Sequence, residues 1–279
     1  MTTTVGKTLR DATDLLSGDE ARAEAELLLA HALRQPRAWL LAHDQDPMGP
    51  EARSRYSILL ERRRRGEPVA YILGFRGFWS LEFSVTTDTL IPRPETELLV
   101  EIALARLPVA CAARVLDLGT GSGAIALAIA KERPLFEVTA VELDERTLAI
   151  AKKNAARLGL DRVRLLRSDW YSAVLGESFD LIVSNPPYLA QDDPHLVDGD
   201  VSREPRLALV SGSDGLDAIR RIVAEAPSHL IPGGTLLIEH GWTQGEAVHR
   251  LLVKAGFSEV DTVADLAGRD RVTRGRWPD

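Results

Sequence analysis

Over the first seventy or so residues the apolar positions recur at helical spacing. Ser17-Gly-Asp-Glu20 has the form of a capping box, and Leu27, Leu28, Ala30, His31 and Leu33 follow it on a near-helical period. A second helix is predicted from Pro50 to Arg65, with Tyr56, Leu59 and Leu60 on its apolar side, and it closes in Arg62-Arg63-Arg64-Arg65-Gly66. Basic residues suit the last turn of a helix, and glycine suits the position just past it. From Phe75 to Val85 the pattern changes to short alternating segments around Gly77, which predicts a β-hairpin. Leu90-Ile-Pro-Arg-Pro-Glu-Thr-Glu97 comes next, held extended by its two prolines, with a helix predicted from Pro94 onward.

Beyond Ala113 strand and helix alternate over short connections. Arg114–Leu118, Glu137–Leu143, Val163–Arg167, Asp180–Ser184 and Thr235–Glu239 are apolar runs of the buried-strand type. Helical segments separate them, among them Ala124–Lys131, Glu145–Leu158 and Leu216–Leu230. This βαβα order implies an α/β fold with a Rossmann-like parallel sheet covered on both faces. Phe257 to Trp277 holds two β-prone pieces broken by Ala267-Gly-Arg-Asp-Arg271, which predicts an antiparallel hairpin at the sheet edge. The expected domains are a helical one over Met1–Leu73, a β-hairpin linker over Gly74–Asp88 and the α/β domain over Thr89–Asp279.

Composition narrows the partners. The chain has 279 residues, 45% apolar and 27% charged, which is globular and not disordered. Its net charge is −7, and Met1–Asp88 carries twelve Lys/Arg against thirteen Asp/Glu. An enzyme that grips long nucleic acid needs basic contacts to phosphate, so no such partner is expected and a protein or small-molecule substrate is favoured. The Arg62–Arg65 run fits a solvated helix end or a contact with an acidic or RNA-bearing partner, and both readings stay open. Cys111 is the only cysteine, and the six histidines (His31, His43, His195, His229, His240, His249) lack paired ligand spacing, so no metal is expected. Met-Thr-Thr-Thr-Val-Gly-Lys has no apolar stretch behind a basic start. Val115–Ala130 is too short, and too broken by Asp117 and three glycines, to span a bilayer. A soluble cytoplasmic protein with no membrane partner is the expectation.

Asp117-Leu-Gly-Thr-Gly-Ser-Gly123 follows a strand and opens an alanine-rich helix. In such a sheet a ligand sits at the carboxyl ends of the strands, where Gly119, Gly121 and Gly123, with Thr120 and Ser122, let backbone approach it. Glu142 closes the next strand, where a carboxylate takes both hydroxyls of a ribose. These two features also fit a nicotinamide dinucleotide. Three details favour S-adenosylmethionine instead. The glycines are spaced G-x-G-x-G, and Asp117 would repel a pyrophosphate but suits an ammonium and a sulfonium. At the end of the third strand come Asp169, able to accept from an adenine amino group, and Trp170, able to stack on the ring.

Asn185-Pro-Pro-Tyr188 stands directly after the fourth strand. Asn and Pro also make ordinary strand-ending turns. Behind a methyl-donor site, the motif has a specific chemistry. An amide or exocyclic amino nitrogen is a poor nucleophile because its lone pair is delocalised. Two acceptors, the Asn185 side-chain oxygen and the Pro186 backbone carbonyl, would hold its N–H groups and free the pair. Pro186 and Pro187 stiffen the rim and remove donors, and Tyr188 offers a flat face to a flat group. Ser122 and Ser184 lack the surroundings of a hydrolase nucleophile.

Taken together, Leu90–Glu97, Asp117–Gly123, Ser168-Asp-Trp170, Asn185–Tyr188, Gly199-Asp-Val-Ser-Arg-Glu-Pro205 and Glu239-His-Gly241 make this chain resemble the protein-(glutamine-N5) methyltransferases of class-1 peptide release factors, the HemK-like family. The helical N-terminus is similar in size and kind but holds no diagnostic motif. The resemblance implies a seven-stranded methyltransferase sheet behind a small helical domain for substrate recognition. It implies that Gly119–Gly123, Glu142, Trp170 and Asn185 bind S-adenosylmethionine, leaving S-adenosylhomocysteine as product. It also implies that Asn185–Tyr188 holds the glutamine of a Gly-Gly-Gln loop. Arg93 and Glu95 then line the substrate entrance or serve only the start of a helix. Glu204, with Pro205, shapes the same cleft or makes a plain turn. Two rivals remain: a methyltransferase of an exocyclic amine in rRNA or DNA, and a non-catalytic module that only docks a partner.

Overall fold

A computed structural model describes residues 3–16, 18–108 and 111–279. Ser17, the cap residue of the predicted box, lies outside them. The chain divides into two compact units, Met1–Gly74 with Gly199–Arg203, and Phe75–Asp198 with Glu204–Asp279.

The first unit is built from α1 (Val5–Leu15), α2 (Ala21–Leu33), α3 (Trp39–Ala42), α4 (Pro50–Arg64) and α5 (Val69–Leu73). Its core gathers Leu9, Ala25, Leu28, Leu29, Tyr56 and Ile72, and the buried Tyr56 hydroxyl donates to the Ala25 carbonyl at 3.2 Å. The arginines that end α4 all have carboxylate partners in this unit. Arg62 pairs with Glu67, while Arg64 and Arg65 pair with Glu61. Arg63 is bonded to Glu24 at 2.7 Å and to Asp200 at 2.6 Å.

The second unit opens with a two-stranded hairpin, β1 (Phe75–Phe78) and β2 (Leu81–Ser84). Its turn begins two residues later than the Gly77 around which the pattern alternates. Gly77 sits inside β1 opposite Glu82, and the turn is Trp79-Ser80, with Trp79 at φ 56°. A two-residue hairpin loop favours that left-handed conformation. Glu97 accepts from the Trp79 backbone N–H at 2.6 Å and Glu132 from its indole at 2.9 Å, which pins the turn from outside.

After the hairpin come α6 (Glu97–Arg106), β3 (Arg114–Leu118), α7 (Ala124–Glu132), β4 (Glu137–Glu142), α8 (Glu145–Arg157), β5 (Arg164–Arg167), β6 (Phe179–Ser184), α9 (Asp217–Glu225), β7 (Leu230–Glu239), α10 (Gly245–Lys254), β8 (Ser258–Ala264) and β9 (Asp270–Arg276). One seven-stranded sheet runs β5-β4-β3-β6-β7-β9-β8, parallel as far as β7 and antiparallel at the last two strands. Side chains alternate between two cores, as period-2 strands buried on both faces require. Val115, Leu181 and Leu237 join the core with α6, α7 and the hairpin, whereas Leu116, Ile182 and Leu236 join the core with α9 and α10. The predicted helix Leu216–Leu230 is shorter. It ends at Glu225, a 3-10 turn covers Ala226–His229, and Leu230 already opens β7. Pro227 explains the stop, since it has no N–H for the Val223 carbonyl and its ring crowds the preceding turn. The C-terminal hairpin forms, but with β9 inside, between β7 and β8.

The strand order reverses between β3 and β6. In an open α/β sheet the crevice beyond the carboxyl ends at that switch point is where ligands bind.

Candidate active site

A cavity of about 650 Å³ opens at the switch point, within the size range of ligand sites. Of the residues singled out from sequence, Gly119, Thr120, Gly121, Ser122, Glu142, Asp169, Trp170, Asn185, Pro187 and Arg93 lie on its wall. Asp117, Gly123, Pro186, Tyr188, Glu95 and Glu204 do not.

The loop from Gly119 to Gly123 carries the chain from β3 into α7. Gly119 and Thr120 both donate their backbone N–H to the Val141 carbonyl at 3.0 Å, and Gly121 donates to Glu142 Oε2 at 3.0 Å. Gly121 has φ 59° and Gly123 φ 90°, conformations that disfavour side chains. Asp117 is wholly buried beneath the loop. Its Oδ2 accepts from the Thr120 hydroxyl at 2.6 Å and from the Ala126 N–H at 3.2 Å, tying the loop to the start of α7. Its Oδ1 has no hydrogen-bond partner, and burial pushes the carboxyl up to about 7.

Glu142 ends β4 with both oxygens directed by backbone donors, Asp144 N–H at 3.1 Å to Oε1 and Gly121 N–H to Oε2. Burial raises its pKa, and those N–H groups counter the rise by favouring the ionised form. Trp170 is placed by Ser168, whose hydroxyl donates to the Trp170 carbonyl at 2.7 Å. The indole passes close to Gly119, where a Cβ would stand 3.5 Å from the ring. Asp169 is on the wall, but Arg221 Nη1 donates to both of its oxygens, at 2.8 and 2.9 Å.

These residues fit S-adenosylmethionine. Glu142 can take a ribose diol and Trp170 can face an adenine ring. The Glu142 carboxylate borders a loop without lysine, which suits a cationic ligand and opposes a pyrophosphate. Asp117, buried off the wall, ties the loop and does not meet the ligand. The arginines on the wall are each beside a carboxylate: Arg93 with Glu204, Arg146 with Asp88 and Arg221 with Asp169. On this arrangement Trp170→Ala should weaken S-adenosylmethionine binding by about 1–3 kcal/mol, the size of a stacking contact. Calorimetry on the variant checks it, and unchanged affinity would remove Trp170 from the site.

Asn185 leaves β6 one residue after Ser184, whose hydroxyl bonds the Leu118 carbonyl at 2.7 Å across the switch point. Asn185 Nδ2 donates to Thr96 Oγ1 at 3.2 Å, and the hydrogen bonds among the described residues leave its Oδ1 and the Pro186 carbonyl without a donor. Two acceptors on consecutive residues thus have no donor among the described residues. Tyr188 packs against the α9–α10 core, and Gln244 donates to its backbone carbonyl at 3.0 Å. Burial raises the phenol's pKa and the nearby Glu239 carboxylate adds to the rise, so the ring is neutral. Arg93 donates to Glu204 Oε1 and the Ile91 N–H donates to Oε2 at 3.0 Å, with the Glu204 side chain fully buried. Glu204 therefore holds the Ile91–Arg93 segment, and its full burial keeps it off the cavity wall.

Sequence reasoning passed over Thr96 and Glu239 as site residues. Thr96 is on the cavity wall, and its hydroxyl donates to Glu239 Oε1 at 3.2 Å. The signal available was an acid ending an apolar strand at the same sheet edge as Asn185. Among the described residues no cluster of three His, Cys, Asp or Glu side chains could hold a metal ion, and no helix is long and apolar enough to cross a membrane.

The sheet order, the glycine loop and the acceptor pair define an S-adenosylmethionine-dependent methyltransferase. The fold is shared with a methyltransferase from Pyrococcus furiosus (TM-score 0.55, 21% identity, 80% of this chain and 100% of that one). Residues 95–199 match the family described as methyltransferase small domain, and residues 7–74 match the PrmC N-terminal domain. Release factor glutamine methyltransferase from Xylella fastidiosa is 56% identical over 92% of this chain and 94% of its own. The protein of that name from Pseudomonas aeruginosa is 54% identical over 99% of both chains. The chain belongs to the release factor glutamine methyltransferase family.

Proposed function

We propose that the protein transfers one methyl group to the side-chain amide nitrogen of the glutamine in the Gly-Gly-Gln motif of class-1 peptide release factors. The observation that carries this reading is the pair of donor-free acceptors on consecutive residues, Asn185 Oδ1 and the Pro186 carbonyl, with Asn185 and Pro187 on the wall of the cavity. The relatives' shared name selects glutamine in a release factor, since an asparagine amide offers the same two N–H groups.

Glycines 119–123, Glu142 and Trp170 would hold S-adenosylmethionine, which when bound supplies a methyl on a sulfonium and becomes S-adenosylhomocysteine. Asn185 and Pro186 accept the two N–H groups of the substrate amide and so localise the nitrogen lone pair. Pro187 keeps the rim rigid, and Tyr188 anchors the motif in the α9–α10 core. The new N–C bond leaves a cationic nitrogen acidic enough to give its proton to water, so no strong base is needed. Arg93 and Glu95 belong to the segment at the substrate side, and Glu204 fixes that segment from behind. The helical unit recognises the release factor, the hairpin over Gly74–Asp88 connects it, and the domain from Thr89 carries the chemistry. A release-factor substrate places the reaction in the cytoplasm, with no long nucleic acid held directly.

The ionic-strength dependence of transfer tests the substrate class. A protein substrate with few phosphate-type contacts should give a rate that changes less than about tenfold between 50 and 200 mM salt. A fall of three or more decades is what about six to ten phosphate contacts would produce, and it would point to a base amine in rRNA or DNA.

A further inference from the structure

The two ends of the Asn185 amide have nearly the same shape, yet only one of them accepts hydrogen bonds. Asn185 Nδ2 donates to Thr96 Oγ1 at 3.2 Å, and Thr96 donates its one hydroxyl hydrogen to Glu239 Oε1 at 3.2 Å. Thr96 precedes α6 and is 4% exposed, while Glu239 ends β7 and is 1% exposed, so water reaches neither well. Glu239 Oε2 has no hydrogen-bond partner, which leaves Thr96 as the one donor to this carboxylate among the described residues.

We propose that Thr96 and Glu239 are positioning residues that hold the Asn185 amide with its oxygen toward the substrate, a role that rests on the reading of Asn185 as an acceptor. The direction follows from counting hydrogens. Once the hydroxyl hydrogen goes to Glu239, only lone pairs on Thr96 face Asn185. Asn185 must then turn its NH₂ to Thr96, which presents Oδ1 at the cavity. A flipped amide would face those lone pairs with its own, or draw the hydrogen away from a buried carboxylate that has no other donor. Leaving such a group unsatisfied disfavours the flipped form roughly 10- to 100-fold. The hydroxyl of residue 96 is therefore essential and its methyl is not.

Charge on Glu239 sets the sense of the chain. The groups facing it are Arg271 on β9, Arg93 and Glu95 ahead of α6, and the Tyr188 phenol. Burial outweighs them and pushes its carboxyl up to about 7. Once protonated, Glu239 can donate to Thr96, which frees the hydroxyl hydrogen for Asn185 Oδ1 and satisfies the flipped amide. Orientation is thus held above that pKa and lost below it. Accordingly kcat should fall as pH drops through about 7, and Glu239→Gln should remove that limb.

Two substitutions at Thr96 separate positioning from packing, because Thr96→Val keeps the shape without the hydroxyl and Thr96→Ser keeps the hydroxyl. In Thr96→Val neither end of the amide is favoured, so about half of the molecules carry it flipped and kcat should fall about twofold. KM for S-adenosylmethionine and for release factor should be little changed, while Thr96→Ser stays near the parent. Hydrogen exchange of the Asn185 side-chain NH₂, assigned by its absence in Asn185→Ala, is read on the full chain without substrate. It should be slow in the parent and Thr96→Ser and fast in Thr96→Val. Unchanged kcat with slow exchange in Thr96→Val would overturn the proposal, as would a Thr96→Ser enzyme as impaired as Thr96→Val. A parent enzyme that leaves the release-factor glutamine unmethylated would instead refute the assigned reaction, and the exchange rates would still decide the positioning role.

Discussion

Asn185→Ala should lower kcat for methyl transfer by two or more decades, on the order of 3 kcal/mol, while S-adenosylmethionine still binds. The substitution removes Oδ1, one of the two acceptors the reacting amide needs, and also takes the amide partner away from Thr96. The backbone carbonyl of Pro186 stays, so part of the substrate grip survives, but one substrate N–H is left without an acceptor. Glycine loop, Glu142 and Trp170 are untouched, which is why cofactor affinity should change far less than rate. Single-turnover transfer alongside calorimetry separates the two quantities. A parallel collapse of both would make Asn185 chiefly a cofactor residue.

Gly121→Val should abolish measurable S-adenosylmethionine binding in a protein that still folds. A Cβ at this position meets no atom within 4 Å, so the protein itself has room for it. Its cost to folding is the positive φ of 59°, about 1–3 kcal/mol for a β-branched residue, or roughly 2–10 °C in Tm. The loss of binding comes from placing a side chain where ligand and backbone must approach closely, on the wall of the cavity. Gly123 behaves differently, because a Cβ there would stand 2.9 Å from Leu127 Cδ1, and its substitution should damage the start of α7 itself. Unchanged cofactor affinity in folded Gly121→Val would take this loop out of the binding site.

Some elements could be read from the chain because their physical causes are local. β3 coincides with the predicted Arg114–Leu118, since a strand buried on both faces writes an unbroken apolar run and the glycines mark its end. The parallel α/β sheet was legible for the same reason, and the seven-stranded methyltransferase fold came from the resemblance. Pro227 was visible in the sequence, yet the apolar stripe of Leu216–Leu230 concealed that it stops the helix. Other features join residues too distant for any periodicity to report. Thr96 meets Glu239 across 143 positions, and Arg63 meets Asp200 across 137. Glu204 looked like a cleft residue because it lies in a motif, but its burial under Ile91 and Arg93 appears only in three dimensions. Asp169 was assigned to adenine from its place at the end of a strand and its capacity to accept, and the competing guanidinium of Arg221 comes from a helix 52 residues further on.

The most direct measurement is a peptide map of unmodified class-1 release factor after incubation with purified enzyme and labelled S-adenosylmethionine, with rRNA and DNA treated in parallel. One methyl on the glutamine of the Gly-Gly-Gln peptide, with both nucleic acids unlabelled, is the predicted result. Label in rRNA or DNA, with that glutamine peptide unmodified, would contradict it.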